Sequence, residues 1–142
     1  MALRPANRVD ACSQEIPCDL RATSELCQQA RWFFTESGLA SKDQEAWELA
    51  LAEAVNNAVK YCRPDARTLP VRVDLLASRD WVEARITDHT PGFDWPEQAE
   101  LPPDDSESGR GIFLIQNLTD ESRYLRGRDQ NCLVLHKRRT PA

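Results

Sequence analysis

The run SKDQEAWELALAEAVNNAVKYC at residues 41–62 carries the strongest structural signal of the chain. Apolar residues recur in it every three or four positions, which predicts one long amphipathic helix. Ser41 and Gln44 have the spacing of a capping box at its start, and the residues around Pro64 end it. The predicted core face of the helix carries Trp47, Leu51, Ala54, Val55, Ala58 and Cys62.

Glu53 and Asn57 share an adjacent face of this helix, because they are four residues apart. Ala46 and Ala50 precede them on that face and leave room above the backbone for another element. A carboxylate and an amide on a helix are usually solvated surface. A half-buried carboxylate, however, must be hydrogen-bonded, paired or neutralised. The alternative interpretation is a proton acceptor beside a ligand for a metal-bound triphosphate.

The flanking segments predict a small number of further elements. A helix over Ser24–Ser37, capped by Thr23 or Ser24, is stopped by Gly38. Two alternating runs around Ser78-Arg79-Asp80 predict a hairpin. The expected strands are Ser13–Cys18, Val71–Ala77, Trp81–Thr87, Glu121–Arg126 and Cys132–Lys137, with a short helix over Arg110–Leu118. We expect a flexible leader over residues 1–12, one domain over 13–138 and a solvated tail over 139–142.

Composition restricts the class of protein. The chain has 142 residues, 41% hydrophobic and 29% charged, as in an ordinary soluble globular protein. A net charge of −5 speaks against direct nucleic-acid binding. No apolar run is long enough to span a membrane, and no secretory signal precedes the first strand. Five scattered cysteines without a C-x-x-C pair predict buried or idle thiols and no zinc site, so we expect a cytoplasmic protein.

Three further features have a plain and a functional interpretation. Asp88, at the end of a predicted strand, either opens a turn or accepts a hydrogen bond from the exocyclic amine of adenine. The Gly109-Arg110-Gly111 turn at a helix start exposes backbone N–H groups that suit phosphates. Lys60 and Tyr61 are surface residues or, beside a phosphate, a point charge and an aromatic rim. The intervening loop, His89–Ser108, contains four prolines and is long enough to act as a lid.

Together these residues resemble three sequence boxes of the GHKL ATPase superfamily. Residues 53–61, EAVNNAVKY, resemble its N-box; residues 88–94, DHTPGFD, resemble its D-x-G-x-G box; residues 109–115, GRGIFLI, resemble its second glycine box. Glutamate four residues before the asparagine, in a single small domain, is similar to the anti-sigma-factor serine kinases of bacterial partner-switching systems. The resemblance covers nearly the whole chain, from about residue 13 to residue 138.

The resemblance implies a two-layer α/β sandwich, the Bergerat or GHKL ATPase fold, with a mixed sheet covered on one face by three helices. It implies an ATP- and Mg²⁺-dependent serine kinase that phosphorylates a small antagonist protein and sequesters a sigma factor. Glu53 would be the general base, Asn57 the Mg²⁺ ligand and Asp88 the adenine-binding residue. Gly92, Gly109, Arg110 and Gly111 would hold the nucleotide, with Lys60 on a phosphate and Tyr61 beside it.

The resemblance also implies a homodimer that pairs through its N-terminal region. The aromatic run Trp32-Phe33-Phe34 fits this expectation, because three consecutive helical residues cannot all face one core. Two positions depart from the family pattern. Thr90 replaces the first glycine of the D-x-G-x-G box, and Gln130-Asn131-Cys132 replaces a glycine-threonine signature. These departures favour a rival interpretation, a switch module of the same fold without phosphoryl transfer. A sensor histidine kinase domain is a third and weaker alternative.

Overall fold

The computed structural model of the chain describes residues 8–62, 69–92, 95–101 and 110–141. The elements along these residues are β1 (Asp10–Ile16), α1 (Ala22–Glu36), α2 (Ser41–Lys60), β2 (Val71–Ala77), β3 (Trp81–Asp88), α3 (Arg110–Leu118), β4 (Glu121–Arg126) and β5 (Asn131–Arg138). No helix in these ranges combines the length and the apolar character needed to cross a membrane.

The five described strands form one sheet in the order β1-β2-β3-β5-β4. The predicted α/β architecture with three helices is confirmed, but the prediction of a mixed sheet is wrong, because all four described pairings are antiparallel. The connections explain this. The two helices between β1 and β2 bring the chain back to the same end of the sheet at which β1 finished. Strand β2 therefore runs antiparallel to β1. A single helix joins β3 to β4 and makes them parallel, but β5 lies between them.

The core lies between the sheet and the helices. Alternate residues of β2 and β3 are buried on one face, as the period of two predicts. The six residues predicted for the core face of α2 are all buried. Helix α2 packs on β2 and β3, whereas α1 contacts β1 and α3 contacts β4. Because α2 also contacts both other helices, it is the element on which the remaining parts of the site are assembled.

Most element bounds match the prediction, and the exceptions have local causes. Strand β1 begins at Asp10, so residues 10–12 are not part of a flexible leader; they pair with residues 75–77 of β2. Helix α1 begins at Ala22 after Arg21, without the predicted side-chain cap. Ser41 is the first residue of α2, and no side-chain cap forms there. The Gln44 amide instead donates to the carbonyl oxygen of Leu39 at 2.9 Å.

Arg139 and Thr140 are attached to the domain, which corrects the prediction of a solvated tail at these positions. The Arg139 guanidinium donates to the carbonyl oxygens of Ser78 at 2.6 Å and Ser37 at 3.0 Å. The backbone N–H and the hydroxyl of Thr140 both donate to the Asp43 carboxylate at 2.7 Å. Asp43 is a buried carboxylate in the first turn of α2, so these donors satisfy a group that sequence patterns alone leave without a partner.

We expect Asp43→Ala to lower the free energy of unfolding by roughly 1–3 kcal/mol, because hydrogen bonds to a charged group are lost. Urea unfolding followed by circular dichroism measures the change. Lys42→Ala, an exposed neighbour in the same helical turn, is the matched control. Equal unfolding midpoints for the two variants would contradict the role of Asp43.

Candidate active site

Glu53 and Asn57 lie under the first turn of α3. A β-carbon built on Gly111 would be 2.9 Å from Oε2 of Glu53 and 3.5 and 3.9 Å from Nδ2 and Oδ1 of Asn57. One carboxylate oxygen of Glu53 and both polar atoms of the Asn57 side chain are therefore within 4 Å of one point. The prediction that another element packs above this face of α2 is confirmed, and that element is α3.

Gly111 is distinguished here by the close approach of Glu53 rather than by its backbone angles. A separation of 2.9 Å between a β-carbon and a carboxylate oxygen is shorter than real β-carbons tolerate, so any side chain would displace Glu53. Arg110, the first residue of α3, is exposed. Gly109 lies outside the described residues. The first turn of α3 nevertheless lies directly beside Glu53 and Asn57, so the positive end of the helix dipole is next to these two side chains.

A small cavity extends from Asn57 to the end of β3. It is lined by Ala54, Asn57, Ala58, Ile86, Asp88, Trp95, Tyr124 and Leu133. Its interior has room for about one water molecule. The walls are mostly apolar, and Asn57 and Asp88 provide polar groups at two positions. A flat apolar ring with a polar edge at Asp88 would need a wider cavity than this one.

Asp88 belongs to a buried polar cluster. Its Oδ1 accepts hydrogen bonds from the backbone N–H of Thr90 at 3.0 Å and from Nδ2 of Asn131 at 3.1 Å. No described residue other than glycine has a positive φ, so Thr90 occupies the place of a family glycine without backbone strain. The two departures from the family pattern therefore lie together, next to the predicted adenine-binding residue.

Gly92 has φ +80°, a left-handed conformation that favours glycine. A β-carbon on it would be 2.7 Å from Nε of Arg126, the last residue of β4. Its backbone N–H donates to Oγ1 of Thr90 at 3.1 Å. The positive φ thus favours glycine at position 92. The missing side chain also lets the Arg126 side chain approach the backbone.

Lys60 and Tyr61 are not brought to the cavity. Lys60 is exposed, and its Nζ lies 5.3 Å from the centre of the Tyr61 ring. Tyr61 is 44% exposed and follows the last turn of α2. Lys60 is the last residue of α2 and Tyr61 follows it, so a contact of either residue with phosphate would have to come from the solvent side.

Part of the predicted lid packs over the cavity. Among its described residues, 89–92 and 95–101, there is no helix or strand. Trp95 lines the cavity, and its ring lies 5.8 Å from that of Tyr124. The Gln116 side chain accepts from the N–H of Ala99 at 2.6 Å and donates to the carbonyl oxygen of Pro96 at 2.7 Å. The side-chain amide of Gln116, in α3, thus holds residues 96–99 of the loop in place.

Sequence reasoning missed Trp95 and Tyr124, two aromatic residues that line the cavity. It treated Asn131 only as a departure from a pattern. Neither aromatic residue belongs to a box, and each lies in a different element from the predicted site residues. A tryptophan inside a proline-rich acidic loop was the available signal, because such a loop exposes little else that is apolar.

The residues fit a magnesium nucleotide as substrate. The Asn57 carbonyl oxygen is the hard ligand type that Mg²⁺ takes, and Mg²⁺ commonly uses one or two protein ligands together with phosphate oxygens. Gly111 leaves the space above Glu53 and Asn57 free of a side chain. A Mg²⁺ ion in the space above Glu53 and Asn57 would neutralise the charge of the phosphates.

Comparison with known proteins supports a defined family. The family model described as histidine kinase-like ATPase domain matches residues 16–137. The chain is 30% identical to serine-protein kinase RsbW of Listeria monocytogenes serovar 1/2a, with 60% of this chain and 64% of that protein covered. It is 25% identical to serine-protein kinase RsbW of Staphylococcus aureus RF122, covering 81% of this chain and 79% of that protein. The chain therefore spans slightly less than two thirds of the Listeria relative.

A solved structure shows the same fold. The crystal structure of the RsbU and RsbW domains of Rv1364c from Mycobacterium tuberculosis superposes with a TM-score of 0.72 over 94% of this chain and 34% of that chain. The sequence identity is 18%, so this likeness concerns the architecture. It agrees with the two-layer arrangement of three helices on one sheet described above.

Proposed function

Because the chain belongs to the histidine kinase-like ATPase domain family, we propose that it is an ATP- and Mg²⁺-dependent protein serine kinase that also acts as an anti-sigma factor. The observation that carries this proposal is the convergence of Glu53 and Asn57 under the glycine at position 111, at the start of a helix. A base, a metal ligand and phosphate-binding N–H groups are the parts that phosphoryl transfer requires.

In the proposed reaction the Glu53 carboxylate takes the proton of a seryl hydroxyl as its oxygen attacks the γ-phosphorus of ATP. ADP leaves, and the phosphate remains on the serine. Asn57 would hold the Mg²⁺ that neutralises the phosphates, and the N-terminus of α3, with Gly109 and Arg110, would bind them. Asp88 would accept a hydrogen bond from the adenine amine at the other end of the cavity. Gly92 would belong to the same nucleotide site, whereas Lys60 and Tyr61 lie outside the cavity and would contact a phosphate only from the solvent side.

The proposed substrate is a small antagonist protein, and the proposed second partner is a sigma factor, in the cytoplasm. Two relatives are named serine-protein kinases, which supports transfer to a serine. Phosphorylation adds nearly two negative charges to the antagonist. The kinase has a net charge of −5, so the charged product is expected to be released, which frees the protein for its other partner.

A nucleotide-binding switch without phosphoryl transfer is the second candidate function. The narrow cavity favours it, because Trp95 covers a space with room for about one water molecule. ATP binding requires this wall to move, whichever function is correct. Transfer additionally requires that the seryl oxygen reach Glu53.

Two experiments distinguish the kinase from the switch. Calorimetry measures the binding of Mg-ATP and ADP, and ³²P-labelled ATP tests transfer of phosphate to the antagonist encoded by a neighbouring gene. The kinase predicts both binding and a labelled serine. Binding without any labelled antagonist would favour the switch. Absence of nucleotide binding would exclude the kinase and leave only a switch module that binds protein partners.

Asn57→Ala should weaken binding of Mg-ATP but not of metal-free ADP, because a hard cation loses an oxygen ligand. We expect a loss of roughly tenfold, the effect of about 1.4 kcal/mol. Calorimetry with and without EDTA measures it, and Asn56→Ala, at the neighbouring position of α2, is the control. An equal loss with and without Mg²⁺ would reassign Asn57 to a contact with the nucleotide itself.

We also propose a homodimer that forms through α1. Trp32 is 68% exposed there, whereas Phe33 and Phe34 are buried. The prediction that this aromatic run cannot all face one core is confirmed. Light scattering at micromolar concentration should give the dimer mass, and Trp32→Ala should shift it toward the monomer. Leu125→Ala removes an exposed apolar side chain on β4 as the control. A monomeric mass for the unmodified protein would exclude the dimer.

A further inference from the structure

Asp88, Thr90 and Asn131 form a buried cluster at one end of the cavity. They are 5%, 4% and 3% exposed. The strand register explains why they meet: Asp88, the last residue of β3, is paired with Asn131, the first residue of β5. Paired residues of antiparallel strands project on the same face of the sheet, here the face that the helices cover. Thr90 follows Asp88 by two residues and turns back over it.

The Asn131 amide connects the other two residues. Its Nδ2 is 3.1 Å from Oδ1 of Asp88, 3.0 Å from the carbonyl oxygen of Thr90 and 3.3 Å from Oγ1 of Thr90. An amide nitrogen has two hydrogens for these three acceptors, so its donor capacity is fully used. The Thr90 hydroxyl in turn accepts from the backbone N–H of Gly92, which continues the network along the loop.

The consequence for Asp88 is that its two carboxylate oxygens are no longer equivalent. Both protein donors, the N–H of Thr90 and the amide of Asn131, go to Oδ1. Within the described part of the chain no donor is recorded for Oδ2. The carboxylate is thereby held in one rotation, with Oδ2 as the acceptor left for a ligand in the cavity that Asp88 lines.

We propose that Asn131 and Thr90 are positioning residues that set the base selectivity of the nucleotide site. Holding Oδ1 leaves Oδ2 as a fixed acceptor, which suits the 6-amino group of adenine. It opposes the 6-oxo group of hypoxanthine, which presents an acceptor to an acceptor. The two departures from the family pattern thus compensate one another. Thr90 adds a hydroxyl and a β-carbon, and the Asn131 amide donates to both Thr90 and Asp88, which holds the two residues in place. This inference rests on the proposed nucleotide binding.

The test compares ADP with IDP, whose bases differ in the amino or oxo group at position 6 and in the hydrogen that the oxo base carries on N1. Calorimetry on the full chain should show that Asn131→Ala weakens ADP binding by roughly 5–30-fold, as expected for the loss of a hydrogen bond to a charged group. IDP binding should change much less, so the ratio of the two affinities falls. Asn131→Thr, which keeps one donor, should restore part of the ratio.

A purely structural role for Asn131 would weaken ADP and IDP binding equally, and that result would overturn the proposal. Thr90→Gly combined with Asn131→Ala gives a second measurement, since residues acting through one carboxylate are expected to be non-additive. Circular dichroism confirms that each variant is folded. If the unmodified protein binds ADP but the Asn131 variants keep its selectivity, this inference alone fails. If the unmodified protein binds no nucleotide, the proposed function fails with it.

Two thiols far from this cluster carry an independent inference. The Sγ atoms of Cys18, in the connection after β1, and Cys62, after the end of α2, are 2.9 Å apart. The scattered spacing of the five cysteines, without a C-x-x-C pair, predicted buried or idle thiols, and these two are 44 positions apart in the sequence. A disulfide needs its sulfur atoms about 2.05 Å apart, so only a small side-chain movement separates contact from a bond. Cys62 is buried and Cys18 partly exposed, which leaves one sulfur accessible to an oxidant.

We infer that Cys18 and Cys62 form a reversible disulfide on exposure to hydrogen peroxide. The Cys18 thiolate attacks a peroxide oxygen, giving a sulfenic acid and hydroxide, which takes up the thiol proton as water. The Cys62 sulfur then attacks the Cys18 sulfur and displaces a second water. Two thiols are oxidised by two electrons, and one peroxide is reduced to two waters. The bond joins Cys62, two residues after the end of α2 at Lys60, to the β1–α1 connection.

Peroxide treatment should lower the intact mass by about 2 Da, reversibly with dithiothreitol, and raise the melting temperature by roughly 5–10 °C. Peptide mapping without reductant should show the Cys18–Cys62 link. Cys18→Ser should abolish all three effects, whereas Cys27→Ser should not. Burial and the nearby Glu48 raise the pKa of the Cys27 thiol, which makes it a poor nucleophile. A link to another cysteine, or no loss of mass, would overturn the inference.

Discussion

Replacing Glu53 with glutamine is expected to lower the rate of phosphoryl transfer to the antagonist by about 10²–10⁴-fold, the usual contribution of a general base. Glutamine keeps the shape and most of the hydrogen bonding of glutamate but cannot accept a proton at neutral pH. Binding of ATP should remain largely intact, because the proposed contacts of the nucleotide are with Asn57, Asp88 and the start of α3. The effect therefore belongs to the chemical step.

Single-turnover transfer of labelled phosphate measures the rate of the chemical step, and calorimetry measures the affinity for ATP. Glu45→Gln, an exposed position of the same helix, is the matched control. Gly111→Ala provides a second variant, since its β-carbon would lie 2.9 Å from Oε2 of Glu53 and displace the carboxylate. It should also slow transfer while Glu53 remains present. Unchanged transfer by the Glu53 variant would end its assignment as the base.

Asp88→Asn is expected to weaken both ATP and ADP by roughly 10–100-fold, whether or not Mg²⁺ is present. The asparagine carbonyl is needed to accept from Thr90 and Asn131, as Oδ1 of Asp88 does. The new amide nitrogen then takes the place of Oδ2 and presents hydrogens to the amino group of adenine. Two donors face each other, and the favourable contact becomes a repulsive one.

Titration of ADP in EDTA measures this loss without any contribution from the metal. Asp74→Asn, on β2 and outside the cavity, is the control. A 6-oxo nucleotide should be weakened less, because the new donor complements its acceptor. Normal ADP binding by the Asp88 variant would show that the adenine contact is misassigned.

The elements themselves followed largely from local sequence. Alternation predicted the bounds of β2 that the structure shows, Val71–Ala77, and the three-to-four spacing predicted which face of α2 is buried. Gly38 adopts φ +77°, as its predicted role in ending α1 requires. These features depend on residues within a few positions of one another, which is why a pattern in a short window reveals them. Family resemblance added the choice of candidate site residues, and their roles remain predictions.

Contacts between distant positions were decided only by the tertiary structure. Residues 10–12 have no strong strand pattern of their own and become part of β1 because β2 offers them hydrogen-bonding partners. The sheet is antiparallel because β5 lies between β3 and β4. Thr90 and Asn131 look like two unrelated departures along the chain, yet the register of β3 against β5 joins them at Asp88. Periodicity determines which side of an element is buried, whereas strand order and register determine what each side chain meets there.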